Sequence, residues 1–478
     1  MATRNSAARA APQPGSLERV SPQAWLVLFL SAGSMVIVSF NLTGTNLAFA
    51  AIQETFDGVS RATLSWALSG YSIALATFML IAGRLADRLG RRRVFLTGTA
   101  VLAAASAATA ASPTALVFVL GRLGQGVGAA MITPSSLALA LPMFPAGRKA
   151  LVVSAWTACN SVGAASAPSI SAFVVNYWHW RAVYLLGMPI ALAVLVAGPR
   201  LLREAKGAPG QGALDYVGVP MGTAAVGLLA LAIVQGRSWG WTSPGILTAF
   251  AGAAVLAPVF VRRSLRHPQP LLDLRLFALR PVWAANLGNV FLSMVGLSTW
   301  LVWPLFLQQI WGYSIVQAGL AITPAPINSA FWSLYSGRVT DRKGPKGPVT
   351  VGCLLPAAAT AWAVWRVGAE PNYLTDLLPS LLLFSAGFGL TFSPLNAAAL
   401  RGVPADTFGQ VNAAFQTIRA LAGGLGTALA VMLLGERTAI PLANFTRVFL
   451  VFAVVALLGA AMVQVFYPRN ADQPPAAA

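Results

Sequence analysis

Apolar residues crowd into runs at 22–51, 62–82, 94–111, 114–141, 150–174, 181–200, 215–235, 244–262, 281–308, 316–336, 348–366, 376–398, 408–433 and 445–467, separated by short polar links. Each run is long enough to cross a hydrocarbon layer of ~30 Å as a helix. The pattern predicts an all-α polytopic membrane protein with 14 transmembrane helices, an even number that returns the chain to its starting side. The tails, 1–21 and 468–478, are rich in alanine, proline and polar residues and read as disordered. The AFA at 48–50 resembles a signal-cleavage site, but the run before it is too long, so the first helix is read as retained.

Composition agrees with the pattern. Hydrophobic residues make up 57% of the 478 and charged residues 9%, with a mean hydropathy of +0.70, whereas a soluble chain carries about 25% charged residues. The net charge of +19 would suggest nucleic acid in a soluble protein. Here about 24 of the 32 lysines and arginines lie in links on the side of the N-terminus, 6 on the other side and 2 inside helices. That asymmetry is the positive-inside signal and places both termini in the cytoplasm; no basic stripe leaves the membrane to meet DNA or RNA. Four lysines against 28 arginines fit a GC-rich bacterial genome, hence a bacterial inner or plasma membrane. Cys159 and Cys353 fall inside apolar runs and read as small core residues.

The chain repeats itself. The link GRLADRLGRRR at 83–93 returns as GRVTDRKGPKG at 337–347, so that Gly83, Asp87, Arg88 and Gly90 match Gly337, Asp341, Arg342 and Gly344. A second echo pairs GQGVGAAMITP with SAGFGLTFSP. The domains expected are therefore a six-helix half at 22–205, an inserted helix pair at 206–270 and a second six-helix half at 271–467. Glycines at both ends of the repeated link allow close helix approach and tight turning. An aspartate there can cap a neighbouring helix N-terminus, where the dipole favours an anion. A merely topological basic loop explains the arginines but neither the aspartate nor the copy.

These residues resemble the major facilitator superfamily, whose second link carries the G-x-L-a-D-r-x-G-r-k pattern. Within it, the fourteen-helix drug:proton antiporter group is most similar, through SWALSGYSIALA, GRLGQGVGAAMITP with Arg122, WRAVYLLGMP and LDYVG. The resemblance implies two halves that rock about a central site. It also implies a gate latch, in which Asp87, Arg91 and Asp341 hold the facing half in the outward-open state and release it on the return. Two family features are altered: Asn41, in FNLTGTNLAFA, stands where that group carries an acid, and GAASAPSISA keeps the helix-5 kink residue Pro168 but lacks three of the glycines.

All 13 acidic residues fall in tails, links or helix ends. Proton-coupled exporters commonly use a mid-membrane carboxylate, so coupling here would fall to Glu54, Asp57 or Asp376 in a water-filled vestibule. Arg122 and Arg419 are the charges left inside, and a buried cation should face the bundle interior. In a rocking transporter the site lies near the midplane between the repeats. Helix 9 places Asn286, Asn289, Ser293, Gly296, Trp300 and Trp303 at helical spacing on one face. Asn41, Thr45, Trp66, Tyr71, Gln125, Asn160, Asn328, Trp332 and Gln416 complete the expected cavity, although amides also tie helices together and tryptophans anchor helix ends.

No nucleotide-binding loop, metal-ligand cluster or nucleophile elbow is present in the sequence, so neither an enzyme nor a cofactor is expected. The reading is a monomeric secondary active exporter of amphiphilic small molecules, drugs or secondary metabolites, in the lipid bilayer, working by alternating access with proton antiport. The alternatives are a metabolite uptake carrier or facilitator without proton antiport, and a non-transporting sensor.

Overall fold

The computed structural model describes residues 20–59, 61–204, 215, 217–268, 270–404, 407–435 and 440–466. Both expected disordered tails, apart from residues 20 and 21, lie outside them, as does most of the link before the inserted pair. Among the described residues the regular structure is helical throughout: α1 (Pro22–Thr55), α2 (Arg61–Leu89), α3 (Arg91–Ala110), α4 (Ala115–Ala140), α5 (Lys149–Tyr177), α6 (Met188–Leu201), α7 (Gly218–Trp239), α8 (Pro244–Arg266), α9 (Arg280–Gln309), α10 (Ile315–Ile322), α11 (Pro324–Lys343), α12 (Lys346–Arg366), α13 (Leu378–Ala399), α14 (Phe408–Leu434) and α15 (Leu442–Phe466), with short 3₁₀ and π turns between some of them.

By length and composition, 12 of the described segments can cross a membrane. The two expected spans outside that set are α5 and the pair α10 and α11, and the reason is physical. α5 and α11 are rich in serine, threonine and asparagine and pack on each other, so that Ser154, Ser333 and Ser336 are buried in protein. The expected single helix at 316–336 is also interrupted. Pro324 cannot donate a backbone bond, and Thr323 N–H turns back to Leu320 O at 3.2 Å in a tighter turn.

The helix expected from 181 starts as a 3₁₀ turn at Trp180–Leu185 before α6, and the boundaries at the repeated links differ too. The segment 83–89 was expected to be a link but is the last turns of α2, because Arg, Leu and Ala are good helix formers. Gly90 alone breaks the helix, at φ 108°, and Gly344 ends α11 at φ 81°; both angles lie where a side chain would be strained.

Within the first six helices α1 packs on α5, α4 on both α2 and α3, and α3 on α6; from α9 onward α9 packs on α14 and α15, α13 on α11 and α12, and α12 on α15. The two groups meet along two seams, α2 against α14 and α5 against α11. Trp156, Tyr71, Phe392 and Phe415 are buried in a core shared by both groups. α7 and α8 pair with each other, and α7 lies against both α2 and α14, covering the first seam. Its approach uses a Ser69 to Gln235 hydrogen bond of 3.2 Å and a Trp66–Trp239 edge contact at 5.8 Å. Asp215 anchors the start of this pair, accepting from Gly218 N–H at 2.7 Å and from Arg263 at 2.6–3.0 Å. Burial pushes that carboxyl upward, but the Arg263 and Gly218 bonds outweigh it and hold it below the ordinary aspartate value. Outward-facing side chains such as Leu192, Val196, Val255 and Val454 are apolar and exposed, as a helix face turned to lipid requires.

Candidate functional site

At the end of the bundle that carries 83–93, α14, after Thr407, and α5, after Arg148, begin without a side-chain cap from their own N-cap residue. Each is capped from across the seam. Asp87 of α2 accepts from Gly409 N–H at 3.2 Å and Gln410 N–H at 3.0 Å. Asp341 of α11 accepts from Ala150 and Leu151 N–H, both at 2.9 Å. The first half thus caps a helix of the second, and the second caps a helix of the first. Charge-assisted bonds of this kind contribute roughly 1.5–3 kcal/mol each, with the helix dipole adding to them.

The glycines set the approach. A Cβ on Gly83 would meet Ala413 Cβ at 2.6 Å and Gly409 O at 2.7 Å, and one on Gly337 would collide with the Ser154 hydroxyl. Arg91, buried, donates to Asp87 at 3.3 Å and to Ala138 O at 3.0 Å. Arg88 is half-buried and Arg342 exposed. Glu204, which the sequence reading left out, accepts from Arg92 N–H at 3.2 Å, close to Gly90.

Arg122 is 1% exposed. It donates to Ala67 O at 2.7 Å, Asn41 O at 2.9 Å and Gln125 Oε1 at 2.6 Å, and its guanidinium lies 4.6 Å from the Tyr71 ring centre. Gln125 in turn donates to Ser106 at 3.0 Å, and Tyr71 to Val38 O at 3.2 Å. Thr45 accepts from Tyr184 at 3.0 Å. The Asn41–Tyr71–Gln125 group therefore clasps Arg122 and joins α1, α2 and α4.

The cavity lies elsewhere, between α5, α9, the α10–α11 break, α13 and α14, and holds about 750 Å³ of space including its mouth. Of the expected residues it brings together Asn160, Gly296, Trp300, Trp303 and Arg419. Thr157, Phe384, Phe388 and Ser385 line it as well and escaped the sequence reading. Their signal was the four-residue spacing of Phe384, Phe388 and Phe392 on one face of α13. Arg419 Nη1 reaches Gln416 Oε1 at 3.4 Å, and its guanidinium lies 4.1 Å from the Phe392 ring centre.

The remaining expected residues are placed otherwise. Trp66 turns to Trp239 of α7, and Trp332 packs edge-on against exposed Phe331 and Tyr335. Asn328 ties α11 to α13 through Leu382 O at 2.9 Å and Ser385 at 2.8 Å. Asn289 donates to Phe415 O at 2.8 Å and accepts from Ser293 at 3.0 Å, joining α9 to α14. The backbone of Pro168 is part of α5, but its side chain lies outside the described residues.

Between the caps and the cavity runs a column of buried amides. Asn396, Gln410, Asn412 and the Gln416 Nε2 group have no hydrogen-bond partner among the described residues. Buried polar groups are almost always partnered, so water is the partner left to them. Of the expected vestibule acids, Glu54 and Asp57 are exposed, and Asp376 is paired with Arg366 at 3.1 Å.

Known proteins share this architecture. The XylE proton:xylose symporter superposes with a TM-score of 0.69 at 14% identity, covering 95% of this chain and 97% of the other. The human organic anion transporter MFSD10 gives 0.63 at 17%, covering 93% and 100%; both show the fold. In sequence, the chain is 29% identical over 417 residues to the tetracenomycin C resistance and export protein of Streptomyces glaucescens, covering 86% of this chain and 76% of the relative. It is 30% identical to the multidrug efflux pump LfrA of Mycolicibacterium smegmatis, covering 86% and 81%, and 32% identical to the drug efflux pump JefA of Mycobacterium tuberculosis, covering 82% and 77%. The family model of the Major Facilitator Superfamily matches residues 28–427, and the chain belongs to that superfamily.

Proposed function

We propose that this protein exports amphiphilic small molecules, drugs or secondary metabolites, across a bacterial cell membrane by alternating access with proton antiport. The observation that carries the reading is the reciprocal pair of carboxylate caps, Asp87 on α14 and Asp341 on α5, which fastens one end of the bundle beneath an aromatic cavity. With both termini cytoplasmic, the fastened end faces the cytoplasm, and the conformation is the outward-facing one. The amide column on α13 and α14 supports the same reading: it becomes the wall of an inward-facing vestibule when the halves at 22–205 and 271–467 part. The relatives named as drug efflux pumps and an export protein support the direction. Monomeric action suits a cavity formed wholly within one chain.

The test is export from cells lacking their own pumps. Expression should lower accumulation of at least one amphiphilic drug, and collapse of the proton gradient should restore it; unchanged accumulation across a broad panel would refute export. A second reading, an uptake carrier or facilitator without proton antiport, draws on the lack of a carboxylate along the cavity wall. An internal pH indicator in proteoliposomes separates the two, because substrate movement without any proton flux favours the second.

A further inference from the structure

Arg122 and Arg419 are two cations held deep among helices, and their surroundings differ in kind. Arg122 spends its donors on two backbone carbonyls and an amide oxygen, with two tyrosine rings beside it. Arg419 reaches one amide oxygen at 3.4 Å and otherwise lies on the faces of Phe392 and Phe388. A guanidinium carries five N–H donors in a planar fork. The ring contact covers its face and leaves the edge.

Position makes the incomplete pairing matter. Arg419 is 11 residues into α14, about 16 Å from the helix start, a depth at which a charge costs roughly 2.5–3.5 kcal/mol. It borders the cavity, whose lining includes hydroxyls, the Asn160 amide and four large aromatic rings but no carboxylate.

We infer that the cavity takes amphiphilic anions, the acid head (carboxylate, phenolate or sulfonate) pairing with Arg419 and the apolar body lying against Trp300, Trp303, Phe384 and Phe388. The pairing is charge-assisted and, with a planar oxyanion, bidentate. A permanent cation meets repulsion from Arg419 with no acid on the wall to offset it. Such a substrate also eases the energetics of export, since each negative charge leaving a cell held 100 mV negative gains about 2.3 kcal/mol.

The inference rests on the export reading, and one experiment separates their fates. The full chain in proteoliposomes is given a pH gradient and offered two dyes on one ring system, anionic sulforhodamine B and cationic rhodamine 6G. The expected result is sulforhodamine moving about tenfold faster, the equivalent of roughly 1.4 kcal/mol. Arg419→Gln should abolish that preference, while Arg419→Lys, which keeps the charge without the fork, keeps part of it. Faster rhodamine 6G in the unaltered protein overturns the anion inference and leaves export standing, whether or not either variant folds. Sulforhodamine transport undiminished in a folded Arg419→Gln protein overturns it too. If neither dye moves nor quenches the cavity tryptophans, both readings fall.

Discussion

Asp87 and Asp341 stand 254 residues apart at matching places in a repeated segment, and each caps a helix of the other half, yet they are held differently. Asp87 is 0% exposed and has Arg91 four residues on at 3.3 Å. Asp341 is half-buried, and the residue four positions on is Pro345. One carboxylate is therefore a buried ion pair that also caps a helix, and the other is a half-buried cap whose charge support comes from Arg401 and Arg148, outside its own helix. The repeat keeps the bond to the facing helix and takes its supporting charge from a different place. The α2–α14 seam, covered by α7, should then be the stiffer of the two and the α5–α11 seam, beside the cavity, the softer.

The variants that probe this contrast are read by distance measurements between spin labels on the cytoplasmic ends of the two halves. Asp87→Asn should act most strongly, because it leaves Arg91 buried without its counter-charge; a shift toward the open state of about 3 kcal/mol is expected, on the order of a hundredfold in population. Gly83→Ala comes next at about 2 kcal/mol, since its new methyl meets α14 backbone and must force the helices apart. Gly337→Ala, facing chiefly the Ser154 side chain, should cost less. Asp341→Asn should shift the equilibrium by only about 1 kcal/mol, a half-buried cap being partly replaced by water. Equal responses to the two aspartate changes would dissolve the contrast. The smallest effect is a gain: Pro345→Arg puts an arginine where Arg91 stands in the first copy and should favour closure by about 0.5 kcal/mol, and a loss of closure there would show that Pro345 shapes the α11–α12 turn instead.

The sequence carried the helical plan and the repeat because a 20-residue apolar run and an eleven-residue motif survive without knowledge of neighbours. It misled where charge was taken for a loop: RLADRL continues α2 until Gly90 ends it. The cavity was half legible. Arg419, Trp300, Trp303 and Asn160 stood out as polar or large groups in apolar runs, whereas Phe384 and Phe388 look the same in sequence whether they face lipid or ligand. Trp66 and Trp332 show the converse, since helical spacing defines a face without saying which neighbour the face meets. Arg122 and Arg419 read alike as letters, and only the carbonyls of Ala67 and Asn41 tell them apart.

The unpartnered amides along α13 and α14 bear on how such a gate can move at all. Left dry, each such group would weigh against the closed arrangement by about 1–3 kcal/mol, so Asn396, Gln410, Asn412 and Gln416 draw water between the helices while the end is still fastened. The four N–H bonds to Asp87 and Asp341 hold that end closed. If the halves rock as proposed, a seam already wetted has less to gain in water on opening, and the four bonds to the two aspartates are what a molecule settling into the cavity has to overcome.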